Sequence, residues 1–580
     1  MKYLLFSFVF IAILSSCESV SKPSFEYGGG TFTMALTNEP STYIPRETRD
    51  VYSSTVLSQV MEGLVSLDPK DLKIKPQLAE SWKISSDGLL YEFKLRNGVM
   101  FHPHSVFKND EDRLLTADDV KSTIELICKK NELGESTAGY GLIFEGNLQG
   151  AEEFHNGKSL SISGLNIEEN TVKFKLKERD NNFLNKLAHI TCAITSHKIY
   201  EAHLEQDMIG TGPFKFQEYK QDETNSIVLS KNEDYYLTDD EGNALPYLDN
   251  LIFVIENQKT EQLAKFEKHE LDFISGLPTS KITEMLEGRL EDFNSVPPVL
   301  ILNNNPLLNT NYLFFNLSDP RFADPRVRLA FNYAIDREKI GRDVLKNQYY
   351  ELGYYGIVPP LFDAFRGYDF KGIKDLQFSY DPEKARKLLA EAGYPNGKGF
   401  GSVDLRFNID ELQSQICDEF SKQISTNLGI NVNLDASSFE KKEEDGAFAK
   451  SAIFRGGWSA DFPSPESFLN LFYGKNVPKS LKEPSRMNQS RYINPNFDGL
   501  FEQGKRATKL SVQMDFFSQA ERELMKNPPM IPLWYKGDYE IVYSNIRNLY
   551  LNSLNIFNFT NVYKKDWTKE EYQEKMKEKK

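Results

Sequence analysis

The sequence predicts an α/β protein divided into more than one lobe. Its 580 residues exceed what a single hydrophobic core organises, so two or three lobes are expected. Strand-like and helix-like segments alternate along the chain with clear punctuation, which is the pattern of α/β or α+β lobes. Forty per cent hydrophobic and 13% aromatic residues are enough to fill such cores.

Residues 31–37 (TFTMALT), 91–96 (YEFKLR), 171–177 (TVKFKLK) and 251–255 (LIFVI) are rich in β-formers, and the middle two alternate polar with apolar as half-buried strands do. Residues 54–67 carry apolar side chains at helical spacing. Thr116, followed three residues later by Asp119, has the form of a capping box and starts a helix running to Lys129. Asp324-Pro325 and Asp381-Pro382 each set a capping acid before a proline at the first helical position, opening PRVRLAFNYAIDREKI and PEKARKLLAEA. Gly393 supplies a left-handed stop, with Pro395 just beyond it. Residues 564–580 are highly charged and weakly periodic, which predicts an exposed helix or frayed tail rather than a docking element.

The first 17 residues have the form of an export signal: Lys2, an apolar run over residues 4–14, then small residues before Cys17. At about 1.5 Å per residue that run covers roughly 16 Å, half of a ~30 Å hydrocarbon core, so cleavage is expected rather than a permanent span. Leu14-Ser15-Ser16-Cys17 is similar to a bacterial lipobox, which would make Cys17 the lipidated N-terminus and residues 18–30 a tether. Cys128, Cys192 and Cys417 then remain, an odd number in an oxidising compartment, and buried free thiols are expected.

With 84 acidic against 69 basic residues the net charge is -15, which argues against a sequence-independent grip on nucleic acid. No H-E-x-x-H, G-x-S-x-G, G-x-G-x-x-G or Walker motif is present, so an exported hydrolase is disfavoured and no catalytic residue is assigned. His102 and His104 flank Pro103 after a strand and could face one way, but two imidazoles without further ligands do not make a metal site. They are expected at a solvent-facing strand end, and no metal or cofactor is predicted.

Several stretches, read in order, resemble the family 5 solute-binding proteins of ABC importers. They are MEGLVSLDP from Met61, PQLAESWKISSDGLLYEFKLRNGVMFH from Pro76, LTADDV from Leu115, GTGPFKF from Gly210, NEDYY from Asn232 and LPYLDNLIF from Leu245. FFNLSDPRFADPRVRLAFNYAIDREKI from Phe314, DPEKARKLLAEAGYPNGKGF from Asp381 and GGWSADFPSPESFLNLF from Gly456 complete the series. The resemblance implies a two-lobed periplasmic-binding-protein (class II, Venus-flytrap) architecture, with an extra subdomain inserted in the N-terminal half. On this scheme residues 31–54, 207–308 and 537–563 form a discontinuous first lobe, 55–206 the insertion and 309–536 the second lobe. Between His102 and Leu114 the chain is longer than the family's turn, so an elaborated surface loop is expected.

In oligopeptide-binding relatives the aspartate of a W-x-A-D-[YF] motif pairs with the ligand's α-ammonium. Trp458-Ser459-Ala460-Asp461-Phe462 matches it, which implies Asp461 as the ammonium anchor, with Trp458 and Gly457 beside it. Arg455 stands where some relatives carry an arginine that helps bind a short peptide's carboxylate. Extended residues would set Arg455 and Asp461 roughly 20 Å apart, and a tripeptide spans about 10 Å. A bend is therefore expected if both grip one short ligand, with Gly456-Gly457 giving the freedom. The resemblance implies a monomeric lipoprotein on the periplasmic side of a bacterial membrane that hands peptides to an ABC permease and ATPase complex. The same fold in relatives also carries nickel, haem or oligosaccharides, and a sensory receptor is a further alternative.

Overall fold

The structure, a computed structural model, describes residues 25–131, 134–221, 224–278, 281–361, 364–376 and 378–578. The expected signal and Cys17 lie outside the described residues. Two long strands, Leu300–Phe315 and Met530–Tyr543, form the spine of an eleven-stranded sheet and pair antiparallel from Leu300↔Tyr543 to Phe314↔Met530. The register shifts between Pro306 and Thr310, a bulge that lets the sheet change direction there.

On one side of the bulge, Phe273–Ser275 joins Met530–Tyr543, followed outward by Thr31–Leu36, Asn250–Ile255, Ser226–Lys231 and Phe214–Lys220. A core that includes Phe32, Phe253, Phe273 and Ile541 packs on this part. On the other side Ile453–Ser459, Val403–Asn408 and Val432–Ser437 follow Leu300–Phe315. Two cores cover this second lobe, one around Phe331, Phe420 and Leu533, the other around Phe468, Phe501 and Phe517. A separate core around Phe93, Ile124, Phe144 and Phe174 covers a four-stranded antiparallel sheet, Ala79–Ile84, Leu90–Leu95, Thr171–Lys175 and Leu165–Glu168. The result is a two-lobed α/β fold with a third subdomain inserted into the N-terminal half.

Local chemistry explains most elements. Thr116 caps the helix Ala117–Cys128 in a complete capping box with Asp119, and Asp324 and Asp381 cap the helices opened by Pro325 and Pro382. Gly393 is left-handed at φ +98°. The helix expected over 54–67 instead runs Val51–Val60, capped by Asp50, and the chain turns into the strand Val65–Leu67. This helix passes unbroken through position 55 and buries Val56, Leu57 and Val60 in the first lobe's core, so a boundary at 55 cuts an element that belongs to that lobe. The segment from Pro325 is likewise interrupted: one helix ends at Tyr333, and Asp336 caps a new start at Arg337.

The insertion enters and leaves the first lobe at one buried carboxylate. Glu62 accepts hydrogen bonds from Tyr235 Oη (2.8 Å), Thr211 Oγ1 (2.8 Å), Gln77 Nε2 (3.0 Å) and Tyr236 Oη (3.2 Å). Burial still pushes its pKa up to about 7. Gly210 and Gly212 lie against the main chain of Val60, where a Cβ on either would collide with backbone atoms, which explains the glycines of GTGPF.

One further expectation, for His102, changes, while the 102–114 surface loop and the exposed C-terminal helix form as expected with added tethers. His102 is buried, its ring between the Gly212 carbonyl (2.9 Å) and the Gly210 N–H (3.3 Å), and burial pushes its pKa down to about 4. The long 102–114 loop is tied rather than free, because Arg113 bonds the Phe101 carbonyl, Asp110 and Asp234. The charged C-terminal segment forms the helix Lys569–Glu578, and Trp567 just before it docks by donating from Nε1 to the Ser544 carbonyl at 2.8 Å beneath Arg547. Cys128, Cys192 and Cys417 are free and buried.

Gly210→Ala should lower the melting temperature by more than Thr116→Ala. The first forces a backbone shift of about 1–3 kcal/mol, and the second removes one cap of about 1 kcal/mol. At about 2–4 °C per kcal/mol for units of this size, a thermal unfolding scan separates them.

Candidate functional site

Arg455 to Asp461 leave the middle of the second lobe's sheet and run to its end. Ile453–Ser459 pairs with Leu300–Phe315 over its whole length, from Phe315↔Ile453 to Asn309↔Ser459. On its other side it meets Val403–Asn408 only at Ile453 and Phe454, so from Arg455 onward the strand has one partner among the described residues. Its burial falls in step: Arg455 and Gly456 are buried, Trp458 is half-buried, and Gly457 and Ser459 are exposed. The carbonyls of Arg455 and Gly456 already accept from Lys442 Nζ (3.4 Å) and Arg455 Nη1, so the strand edge is open only over Gly457–Ser459.

Asp461 lies just past the end of this strand. Its N–H donates to Ser467 Oγ at 3.0 Å, and that hydroxyl lies 3.4 Å from Asp461 Oδ2. Trp458 Nε1 reaches the same hydroxyl at 3.5 Å. No lysine, arginine or histidine pairs with Asp461 among the described residues. Burial, unrelieved by a cation, pushes its carboxyl up to about 7. A carboxylate in this setting is held by one weak donor and lacks a cationic partner among the described residues.

Arg455 is 3% exposed and engaged from within at both terminal nitrogens. Its Nη1 donates to the carbonyls of Tyr312 (3.0 Å) and Gly456, its Nη2 to Asn311 Oδ1 (2.5 Å), and its guanidinium stacks 4.9 Å above the Trp534 ring. Desolvation lowers its pKa to about 10. Asn311 continues to Asn309 and Asn309 to Ser459, each at 2.8 Å, so an amide ladder links the buried guanidinium to the exposed strand end. Gly456-Gly457 does not bend the chain. Both glycines lie in the strand, and Gly456 is required because a Cβ there would sit 2.8 Å from the Tyr312 ring. The turn comes later, at Phe462-Pro463-Ser464, ahead of the helix Glu466–Leu469.

Sequence reasoning passed over Ser467 and Glu466, although both lie within or beside the quoted motif. Ser467 orients Asp461, and Glu466 is buried in an ion network with Lys186 of the insertion. Their signal was present only as an S-P-E-S helix start, and no local pattern could announce a partner 280 positions away. Among the described residues no cluster of three or more His, Cys, Asp and Glu side chains is arranged to hold a metal ion.

A carboxyl with a raised pKa is protonated more readily in the native than in the unfolded state, so its destabilising effect is absent near pH 4 and complete above about 7. Asp461→Asn should therefore raise the melting temperature of ligand-free protein by a few degrees at pH 8, at about 2–4 °C per kcal/mol, and leave it unchanged at pH 4.

With this geometry in view, comparison with known proteins gives a consistent result. The family model described as bacterial extracellular solute-binding proteins, family 5 Middle, matches residues 73–480. The oligopeptide-binding protein OppA of Bacillus subtilis is 25% identical over 570 residues, covering 96% of this chain and 97% of that one. Heme-binding protein A of Haemophilus influenzae is 28% identical over 547 residues, covering 90% of this chain and 89% of that one. In fold, the chain superposes on the ABC transporter-associated periplasmic binding protein DppA of Helicobacter pylori, solved with the peptide STSA. The TM-score is 0.77 at 24% identity, covering 93% of this chain and 99% of that one.

Proposed function

The chain belongs to family 5 of the bacterial extracellular solute-binding proteins, and from that premise we propose that it captures oligopeptides between its lobes for an ABC importer. The observation that carries this reading is the open strand edge over Gly457–Ser459 running up to Asp461, a carboxyl with no internal cation among the described residues. A peptide in extended form adds to the edge as a further strand, and its α-ammonium pairs with Asp461. Main-chain recognition leaves side chains largely unread, while a desolvated carboxylate rejects ligands that bring no cation.

Arg455, already bound to three internal acceptors, shapes the strand and adds positive potential to the site. Its Nε has no partner and is the atom left for a ligand carboxylate. Trp458 and Gly457 complete the contact surface beside Asp461. The lobes articulate at the bulge between Pro306 and Thr310, and closure presents the loaded surface to the permease and ATPase. Cys17 anchors the exported protein to the membrane, on the periplasmic side, as a monomer.

Haem, suggested by the 28% identity to heme-binding protein A, is the second reading. It brings carboxylates rather than an ammonium and would leave Asp461 uncompensated, which favours the peptide.

Thermal unfolding of protein lacking residues 1–17, with pooled di- to pentapeptides, tests the reading. Ligand at a hundred times its dissociation constant stabilises by about 2.7 kcal/mol. The shift is expected in wild type and absent in Asp461→Ala. No shift with any pool, in protein verified as folded and ligand-free, overturns the peptide assignment, and a Soret titration then checks haem.

The same anchor fixes the pH dependence. Below about 7 a proton competes with the ligand for Asp461, so affinity should fall about tenfold per pH unit. Above about 8 the ligand's own amine deprotonates and affinity should fall again. Isothermal titration from pH 5 to 9 with an N-acetylated control peptide reads both limbs.

A further inference from the structure

Beyond Asp461 the chain enters a contact with the inserted subdomain whose centre is ionic and dry. Lys186 Nζ lies 2.7 Å from Asp180 Oδ2 and 2.7 Å from Glu466 Oε1, with all three side chains no more than 7% exposed. Asn182 Nδ2 donates to Glu466 Oε2 at 2.7 Å and to Ser464 Oγ at 3.0 Å. The Lys186 ammonium also sits 5.5 Å from the centre of the Phe462 ring, the residue after Asp461. Phe183 and Leu187 belong to the core of the insertion and Phe468 and Leu469 to a core of the second lobe, so the network bridges two separately packed bodies.

Its two halves are unequally held. Asp180 is fixed within the insertion, accepting from the Asn182 N–H (2.9 Å) and Asn147 Nδ2 (2.9 Å) as well as from Lys186. Glu466 opens the four-residue helix Glu466–Leu469 and reaches the insertion only through its side chain. Around this centre lie exposed pairs between the same bodies, Arg506 with Glu178 at 2.7 Å and Arg486 with Glu135 at 3.7 Å, of a kind that contributes little.

We propose that Lys186 is a closure latch: preset by Asp180, it receives Glu466 when the insertion meets the second lobe and so holds the loop carrying Asp461 in its ligand-binding position. This rests on the reading of Asp461 as the ammonium anchor. The physical argument is one of balance. Desolvation nearly cancels the Coulomb gain of a buried ion pair, so the latch leaves opening available while accepting only one docked geometry. Two carboxylates face one ammonium, and Lys505 also acts on Asp180, so the network is close to balanced in charge by itself and needs no ligand to form. Because Glu466 and Asp461 share one short segment, joined through Ser467, latch and ligand favour the same closed state and each strengthens the other. Lys186, Glu466 and Asn182 are positioning residues, and none of them needs to touch the ligand.

The test combines small-angle scattering with thermal-shift titration by pooled di- to pentapeptides, on wild type, Glu466→Ala, Lys186→Met and the double variant. Glu466→Ala leaves the Lys186–Asp180 pair intact inside the insertion, so it keeps the test decisive if Lys186→Met fails to fold. The expected result is a half-maximal shift at a peptide concentration at least tenfold higher for each single variant, with a larger radius of gyration before peptide is added. The double variant should be no worse than the weaker-binding single variant, because both remove one interaction. Wild-type midpoint and wild-type radius in folded Glu466→Ala overturn the latch. If wild type itself ignores every pool, the peptide reading fails separately and the ligand-free radii alone decide: a wider Glu466→Ala supports the latch, and equal radii overturn it.

Discussion

The strands Leu300–Phe315 and Met530–Tyr543 stay bonded to each other while Met530–Tyr543 meets the first lobe at Phe273–Ser275 and the second at the short Glu351–Leu352, and Leu300–Phe315 meets the second lobe at Ile453–Ser459. Two paired strands with a bulge between Pro306 and Thr310 tie the lobes to one another and fix how their sheets are aligned. Every other feature of the cleft inherits this constraint. Ile453–Ser459 is aligned because it pairs with one crossing strand, and Arg455 is immobilised because Tyr312 and Asn311 of that strand and Trp534 of the other surround it.

Charge is distributed to the same end. Buried carboxyls in this molecule mostly have internal partners: Glu62 has four donors, Asp180 has a lysine, and Glu521 accepts from the N–H groups of Ile357 and Val358 and from Tyr368. Two lack such partners among the described residues: half-buried Asp461, with one hydroxyl and no cation just past the end of its strand, and Glu540, neither of whose carboxylate oxygens has a partner. Under the proposed function, the arrangement at Asp461 is unfavourable in isolation and becomes favourable when a cationic ligand arrives.

Much of this was legible in the sequence because it is local. The caps at Thr116, Asp324 and Asp381 are two- to four-residue signals and formed as read. The motif around Trp458 and Asp461 was quoted from the chain before any geometry. Where local reading went astray, a distant group had decided the outcome. The periodicity over 54–67 could not reveal that Gly63 packs so closely that a Cβ there would sit 3.3 Å from the Leu187 carbonyl, and two adjacent glycines suggested a bend where the Tyr312 ring needed space beside a straight strand. His102 looked like a solvent-facing residue because nothing nearby in sequence shows that Gly210 and Gly212 enclose it.

By itself the sequence determined the α/β class, the helix starts, the family resemblance and the acid at position 461, since each is written in adjacent residues through backbone preference, capping or motif. Only the tertiary structure decided that Arg455 is spent on internal carbonyls, that the strand edge beside it is open, and that Lys186 meets Glu466 across the two bodies. Those facts depend on which desolvated groups find partners hundreds of residues away, and pairing of that kind is fixed by packing and burial, which short-range sequence pattern does not encode.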